Sequence, residues 1–380
     1  MPMRLLSLEL TQFRSYTSLQ LDLSQGDVHL FVGENGAGKT NVIEAVSILS
    51  LTRSCLSAEE ADIVQWGAEY YRVRGSARDD AEQDRTLEVV SQQTPRLQKA
   101  CFLNDVRLSV EKVLGTLPTV VFLPQDLHLF SGAPAERRRF LDRLLCQVSP
   151  EYLRSLSQYQ KVLKQRNSLL KRIAEGVASV ADLSLWDQQL VEHAIPITLA
   201  RLELIGTLQL TLPEEIRALG ESWEDVHIVY DRKGLARDAE TLTTEYLEQL
   251  QENRKRDCIL CSTSIGPHRE DWHIAVEGRP LPSFASRGQQ RASLLALLLL
   301  QVSYLELRCG EKPVILLDDV FSELDESHQY ALLDSLSGYQ VLITTTHMPE
   351  YKGDVRVWEV EKGNVHISTS AGCLPARTRA

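Results

Sequence analysis

The stretch Gly33-Glu34-Asn35-Gly36-Ala37-Gly38-Lys39-Thr40 decides how the rest of the chain is interpreted. It fits the pattern G-x-x-x-x-G-K-[ST], and it lies between an apolar strand-like run ending at Val32 and a segment with helical spacing from Asn41 to Leu51. In such a loop the backbone N–H groups and the helix N-terminus bind phosphate oxygens. We therefore predict an ATP site in which Lys39 contacts the β- and γ-phosphates and Thr40 binds Mg²⁺. The alternative is a glycine-rich turn without a ligand.

A phosphate-binding loop of this kind needs an acidic partner at the end of a neighbouring strand. Val314–Leu317 are four apolar residues typical of a buried strand, and Asp318 and Asp319 follow them directly. Ligands of α/β sheets bind at the carboxyl ends of the strands. We predict that Asp318 binds Mg²⁺, directly or through water, and that Asp319 polarises the attacking water. A pair of helix-capping acids is the alternative.

A third motif, Ser286-Arg287-Gly288-Gln289-Gln290-Arg291, precedes a strongly apolar helix. It resembles the signature motif of ABC-type ATPases, commonly LSGGQ, with Ala285 and Arg287 in place of the leading Leu and the first Gly. The resemblance implies that Ser286, Arg287, Gly288 and Gln289 of one copy contact the γ-phosphate held by a second copy, as a helix N-terminus can. It further implies a D-loop at Ser322-Glu323-Leu324-Asp325 and a switch histidine at His347.

Strand and helix patterns divide the chain into three parts. Alternating apolar residues predict strands in residues 1–32, with Leu6, Leu8 and Leu10 on one face, and short strands again in residues 70–122. Helical spacing follows, with Pro196 expected to kink or break a long helix. We predict an α/β fold, an ABC-type P-loop ATPase head with an inserted all-helical arm. The head comprises residues 1–130 and 259–367, the arm residues 131–258, and residues 368–380 a disordered tail.

Composition narrows the class of protein. The chain has 380 residues, 43% hydrophobic and 24% charged, which suits two or three globular domains. The apolar run Leu294–Leu300 is far shorter than the roughly 20 residues of a membrane span, and the N-terminal segment lacks the apolar core of a signal peptide. Seven scattered cysteines favour reduced thiols. We therefore expect a cytoplasmic location and no membrane partner.

Charge is distributed unevenly. The net charge is −11, yet residues 131–175 hold ten basic and four acidic residues, a net charge of +6, which leaves −17 for the remainder. Such asymmetry suggests a local polyanion-binding surface on an acidic protein, although a solvated helix face would look the same. The candidate DNA-binding residues are Arg137, Arg138, Arg139, Lys161, Lys164 and Arg166.

Taken together, the motifs resemble those of the RecF family, whose members have an ABC-type, SMC-like ATPase head and act in bacterial recombinational repair. The matching segments occur in order along the chain. They are Phe13-Arg14-Ser15-Tyr16, Thr40–Ala45, Phe122–Leu127, Arg137–Asp142, Gly266–Asp271, Ser286–Arg291 and Leu316–Asp325.

This resemblance implies an ATP- and Mg²⁺-dependent homodimer that clamps DNA near single-strand gaps, in the nucleoid, and assists recombinase loading with RecO and RecR. A weak ATPase activity would serve as a switch that resets the dimer. Asp319, Lys39, Gln125 and His347 would be the catalytic residues, with Gln125 also near the metal. Arg14 would contact the nucleotide, and Arg137–Arg139 would contact DNA or brace the junction between head and arm.

An alternative function stays open from the sequence. The chain could be the ATPase subunit of another ABC-type complex, either a transporter or an SMC-like scaffold.

Cys258 and Cys261 form a CxxC pair, but no second pair occurs at zinc-ligand spacing. We therefore expect an incidental or structural role for them.

Overall fold

The computed structural model describes residues 3–56, 58–221, 223–322, 324, 326–347 and 355–368. The predicted D-loop residue Asp325 and nearly all of the predicted tail lie outside the described residues. The chain forms two compact units: Met1–Leu127 with Arg287–Ala380, and His128–Ser286. The second unit begins close to the predicted start of the arm and extends beyond its predicted end at residue 258, because residues 271–276 pair with a strand inside the insertion.

The secondary structure elements alternate between strands and helices at both ends of the chain. The strands are β1 (Arg4–Phe13), β2 (Tyr16–Asp22), β3 (Val28–Val32), β4 (Tyr70–Arg78), β5 (Asp84–Gln92), β6 (Gln98–Leu103), β7 (Val106–Leu108), β8 (Thr119–Phe122), β9 (Val226–Asp231), β10 (Asp271–Val276), β11 (Arg279–Pro280), β12 (Val314–Asp318), β13 (Val341–Thr345), β14 (Val355–Glu361) and β15 (Asn364–Ile367). The helices are α1 (Lys39–Leu51), α2 (Glu60–Ile63), α3 (Val110–Val113), α4 (Pro134–Val148), α5 (Pro150–Ala174), α6 (Leu183–Ala218), α7 (Ala239–Leu260), α8 (Arg287–Cys309) and α9 (Glu326–Ser335).

The first unit contains two six-stranded sheets. One has the order β15-β14-β3-β13-β12-β8, in which all neighbours are parallel except β15. The other, β2-β1-β4-β5-β6-β7, is antiparallel. The two sheets and α1 contribute to one continuous apolar core. The observed architecture is the predicted α/β fold.

Burial corrects two details of the predicted strand faces. A β-bulge between Leu5 and Ser7 shifts the register of β1, so that Leu5 is buried together with Leu8 and Leu10 while Leu6 is only partly buried. In β3 the residues of both faces are buried, which includes His29 as well as Leu30. A central parallel strand is covered on both sides, and its alternation is then coincidental.

The second unit is mainly helical, with α4 to α7 and the small antiparallel sheet β11-β10-β9. Helix α6 continues from Leu183 to Ala218 with Pro196 and Pro213 inside it, so the expected break at Pro196 is absent. Among the residues that the structure describes, two helices are long and apolar enough to cross a bilayer, Val180–Ala218 and Arg287–Cys309. In the second of these, 72% of the most apolar window is buried inside the protein, as in a core helix.

Candidate nucleotide-binding site

The phosphate-binding loop connects β3 to α1, as its motif predicts. Gly36 and Gly38 have φ angles of 81° and 113°, which favour glycine over residues with a side chain. At Gly38 a Cβ atom would lie 2.9 Å from the Tyr16 hydroxyl, and at Gly33 it would lie 2.3 Å from the backbone oxygen of Val360. The tight packing therefore requires glycine at both positions and fixes the path of the loop.

Lys39 is the first residue of α1, and its ammonium turns back toward the loop. The Nζ atom donates hydrogen bonds to the carbonyl oxygens of Gly33 at 2.7 Å and Glu34 at 2.9 Å. Burial lowers the pKa of Lys39, while the nearby carboxylates of Asp319 and Asp318 act in the opposite direction. The ammonium thus lies among the loop's own backbone acceptors, close to two acidic residues.

The first acid of the predicted pair meets the loop directly. The Thr40 hydroxyl donates to the two carboxylate oxygens of Asp318 at 2.9 and 3.1 Å, across 278 residues of sequence. The hydroxyl of Thr344 on β13 donates to Asp318 Oδ1 at 2.5 Å. Burial raises the pKa of Asp318, and the hydrogen bonds from Thr344 and Thr40 partly counter this effect.

The second acid has an unusual backbone. Asp319 has a φ of 45°, and its N–H donates to both the carbonyl and the hydroxyl oxygen of Thr344, at 3.1 and 3.0 Å. Ser322 donates to Asp319 Oδ2 at 3.1 Å. The other oxygen, Oδ1, is buried and has no hydrogen-bond partner within the described part of the chain. A strained backbone and an unpartnered buried acceptor are typical of residues that act on a ligand.

The donor set fits a magnesium ion. Mg²⁺ prefers hard oxygen ligands, and in nucleotide sites it takes one or two from the protein and the others from phosphate and water. Thr40 Oγ1 and the Asp318 carboxylate are such ligands and are already adjacent. Among the described residues no group of three or more His, Cys, Asp or Glu residues could hold a metal ion alone.

The β1–β2 hairpin holds the loop from outside, a role that the sequence did not reveal. The Tyr16 hydroxyl donates to the Gly38 carbonyl at 3.0 Å, and Asn41 donates to the Ser15 hydroxyl at 2.9 Å. Arg14 forms two hydrogen bonds of 2.7 Å to the buried carboxylate of Glu44 on α1. Here Arg14 ties the hairpin to the helix, and its predicted contact with nucleotide stays a prediction.

Glu44 accepts one more hydrogen bond and Arg14 donates one more, and these bonds explain why a carboxylate can be buried in α1. Ser54 donates to it at 2.5 Å, and the third nitrogen of the Arg14 guanidinium donates to the Asp62 carbonyl at 2.6 Å. Hydrogen bonds to an ionised carboxylate are stronger than neutral ones. The motif Phe13-Arg14-Ser15-Tyr16 contained these residues, but nothing in its pattern identified Glu44 as their partner.

Other predicted site residues occupy the surface of the first unit. Gln125 lies in a 3-10 helical turn, Pro124–His128, and is exposed. His347 follows β13 and is also exposed, with its backbone bonded to the Thr345 hydroxyl. Gly288 is exposed in the first turn of α8, next to Arg287. Their predicted roles stay predictions.

The basic residues of the second unit divide into internal and external groups. Arg166 is fully buried and forms ion pairs with Asp187 and Asp257, each at 2.8 Å. Its assignment as a DNA contact is therefore wrong, because no part of it reaches the surface. Arg137 is mostly buried and forms two hydrogen bonds with Asp271. Both residues belong to the second unit, so the predicted contact with DNA or role at the head–arm junction stays a prediction.

Three of the other predicted DNA contacts, Arg139, Lys161 and Lys164, are exposed. Arg138 is partly buried, donates to the Glu270 carbonyl at 2.9 Å, and has a pKa lowered by burial. Cys258 and Cys261 lie at the end of α7 as thiols. The external group of basic residues is thus smaller than the sequence suggested.

The fold and the site define an ABC-type P-loop ATPase head. In agreement, the family model of the RecF/RecN/SMC N terminal domain matches residues 4–368. The chain is 38% identical over 374 residues to the DNA replication and repair protein RecF of Heliobacterium modesticaldum (strain ATCC 51547 / Ice1), covering 96% of this chain and 100% of that protein. The chain belongs to the RecF family.

Solved structures agree with this assignment. The recombination mediator protein RecF-ATPrS in the RecFOR pathway aligns with a TM-score of 0.90 at 31% identity, covering 96% of this chain and 98% of that one. The corresponding RecF-ATP structure aligns with a TM-score of 0.89 at 30% identity, covering 97% and 98%. The resemblance to the RecF family is therefore confirmed.

Proposed function

We propose that this chain is an ATP-dependent DNA-binding protein that dimerises on ATP, clamps DNA near single-strand gaps and resets by slow ATP hydrolysis. The observation that carries the proposal is the convergence of Lys39, Thr40 and Asp318 on one site. Structures of relatives named RecF-ATP and RecF-ATPrS support ATP as the nucleotide. Mg²⁺ is proposed from the Thr40 and Asp318 oxygens, and when bound it neutralises phosphate charge.

The existing hydrogen bonds suggest how the residues act when ATP binds. The Lys39 ammonium exchanges the carbonyl oxygens of Gly33 and Glu34 for phosphate oxygens, since its flexible stem allows the move. The Thr40 hydroxyl and the Asp318 carboxylate are adjacent and ready to share a ligand. Asp319 Oδ1, a buried acceptor without a partner, would accept a hydrogen bond from the attacking water.

Dimerisation is proposed from the exposed beginning of α8. Ser286, Arg287 and Gly288 are exposed there, and a helix of 23 residues presents its positive dipole end at this point. A phosphate is a natural ligand for such an end. In the proposal the phosphate belongs to ATP on a second copy, so each copy contributes half of a hydrolytic site, and turnover is slow because the site is complete only in the dimer.

DNA, RecO and RecR are the proposed partners. The relatives are named as DNA replication and repair proteins and as a mediator in the RecFOR pathway, which supports this choice over the alternative of an ATPase subunit of a transporter or an SMC-like scaffold. DNA repair takes place in the cytoplasm of bacteria, and association with the nucleoid is part of the proposal. Binding to DNA should depend on phosphates and little on sequence.

The dimer is tested by measuring the molar mass in solution with ATP and with ADP. Wild-type protein should double in mass with ATP and Mg²⁺, and Ser286→Arg should stay monomeric because a large cation replaces the small donor. Ser283→Arg is the matched control, since Ser283 is also an exposed serine just before α8. A Ser286→Arg protein that dimerises, binds DNA and hydrolyses ATP like the control would disprove the composite site.

The switch is tested with Asp319→Asn. The amide should preserve ATP binding and slow hydrolysis, so an ATP-bound dimer should persist on DNA. A scaffold that uses ATP only for its shape would not respond. If DNA release is equally fast for Asp319→Asn and wild type, hydrolysis is not what resets the protein.

A further inference from the structure

Helix α5 of the second unit presents an exposed face with a one-sided charge. Its exposed residues include five cations and one acid, Glu151, which lies in the first turn. The exposed residues are Pro150, Glu151, Arg154, Ser157, Gln158, Gln160, Lys161, Lys164, Gln165, Ser168, Lys171, Arg172 and Ala174. Beyond the first turn, therefore, the exposed face of this helix is entirely basic, polar or small.

The five cations form a continuous stripe, which we name the α5 stripe: Arg154, Lys161, Lys164, Lys171 and Arg172. With 3.6 residues per turn they fall within a sector about 100° wide, and with 1.5 Å per residue they extend over about 27 Å. The opposite side of the helix is buried and includes Tyr152, Tyr159 and Leu170. The fold thus orients the stripe away from the core.

Internal contacts do not account for the stripe. Within the described part of the chain, no carboxylate forms an ion pair with the side chain of Lys161, Lys164, Lys171 or Arg172. Lys171 and Arg172 suit the negative end of the helix dipole, but Lys161 and Lys164 lie in the middle. Like charges three residues apart destabilise a helix, so this arrangement has a cost that an anionic partner would remove.

Helix α7 of the same unit shows what an ordinary solvated face looks like. Its exposed charged residues are three acids and two cations, namely Glu240, Glu248, Glu252, Lys255 and Arg256, and it also exposes Ile259 and Leu260. Because α7 exposes both acidic and basic side chains, the helices of this unit do not all have a basic surface. The charge of α5 is a local property of that helix.

We propose that the α5 stripe binds the phosphate backbone of double-stranded DNA, an inference that rests on the proposed DNA-binding function and assigns it a surface. The glutamines and serines between the cations are further donors to phosphate oxygens. A protein partner would need an apolar anchor, and single strands need exposed aromatic rings for stacking. The stripe has neither, since Tyr152 and Tyr159 are buried.

The test compares the full-length double variant K161A/K164A with the control K255A/R256A on α7. Binding to a fluorescent random-sequence duplex is measured by anisotropy with ATP and Mg²⁺ across a salt series. Each lost phosphate contact should reduce the slope of log affinity against log salt by about 0.9. The double variant should therefore lose about 1.8 from the slope and bind about 60-fold more weakly at 0.1 M salt. The control should match wild type, and K161R/K164R should retain wild-type binding.

The outcomes separate this inference from the function on which it rests. If wild-type protein does not bind duplex with ATP, the proposed function itself fails. If wild type binds but K161A/K164A has an unchanged salt slope, the surface assignment alone is overturned. A loss of affinity for an acidic partner protein with unchanged duplex binding also overturns it. Equal far-UV circular dichroism melts and equal ATP affinity confirm that the variants are folded.

Discussion

Replacing Thr344 by valine should lower the free energy of unfolding, mainly through the loss of one hydrogen bond. Thr344 is fully buried, and its hydroxyl donates to the Asp318 carboxylate at 2.5 Å while it accepts the N–H of Asp319 at 3.0 Å. Valine preserves the shape and removes both bonds. The Asp319 N–H retains the Thr344 carbonyl at 3.1 Å, so the loss should be mostly the bond to a charged acceptor, about 1.5–3 kcal/mol of unfolding free energy.

The next residue supplies a matched control. Thr345 is also buried on β13, but its hydroxyl donates to the neutral carbonyl of His347 at 3.0 Å. Thr345→Val exchanges the same hydroxyl for the same methyl group and should cost only about 0.5–1.5 kcal/mol. Because the transfer of the new methyl group is common to both variants, their difference of about 1 kcal/mol isolates the interaction with the Asp318 charge.

The difference in unfolding free energy between Thr344→Val and Thr345→Val should depend on pH in a defined direction. Burial raises the pKa of Asp318, and the bond from Thr344 lowers it, so the pKa rises further in Thr344→Val. The carboxylate is charged above its pKa, where the Thr344 bond is strongest. The additional loss of unfolding free energy in Thr344→Val, relative to Thr345→Val, is therefore largest at neutral pH and shrinks as the pH falls through the raised pKa of Asp318.

Urea unfolding of both variants and wild type, followed by circular dichroism from pH 7.5 downward, measures these free energies. ATP binding with a Mg²⁺ titration is the second measurement, and Thr344→Val should need more Mg²⁺ because protons compete better for Asp318. Equal destabilisation of the two variants, or an excess that does not change with pH, would refute the role assigned to Thr344.

Three further outcomes follow from single contacts. Gly33→Ala places a Cβ 2.3 Å from a rigid backbone oxygen, so ATP affinity measured by titration calorimetry should fall at least about tenfold, or about 1.4 kcal/mol; unchanged affinity would contradict the packing. Arg166→Met leaves two buried carboxylates without their cation and should lower the free energy of unfolding in urea by about 3–5 kcal/mol. A loss under about 1 kcal/mol would show that the carboxylates are solvated. Burial lowers the pKa of His29 and of His268 to about 4, so both are neutral in the fold and take up protons on unfolding. A histidine in the unfolded chain has a pKa of about 6.5, so the free energy of unfolding should fall by about 1.4 kcal/mol per histidine between pH 7.5 and 5.5. A urea midpoint that does not change over this pH range would contradict the prediction.

The parts of the site that could be predicted from the sequence are those in which the functional residues lie next to one another in one short segment. The loop from Gly33 to Thr40 has a fixed spacing, and the acids Asp318 and Asp319 follow an apolar run, so both could be predicted. Both are confirmed to lie at the carboxyl ends of parallel strands. Strand identity was also predictable where apolar residues alternate, although the bulge near Leu5 changed which residues are buried.

The parts that sequence did not reveal depend on pairings between distant segments. Thr344 belongs to a run of three threonines, and nothing local distinguishes it from Thr345. Arg14 looked like a nucleotide ligand, yet its partner in the structure is Glu44. Arg166 counted as a surface cation because charge alone does not report burial, and its two carboxylate partners lie 21 and 91 residues away.

The order of the strands explains why Thr344 occupies its position. Strand β13 lies between β3, which leads into the phosphate-binding loop, and β12, which ends at Asp318. In register, Thr344 is opposite Asp318 on one side and Phe31 on the other. The residue at the end of β13 therefore lies beside the acid and near the loop, whatever its identity. A donor there orients Asp318 and fixes the backbone of Asp319, so the intervening strand, which carries neither motif, aligns the two motifs with each other.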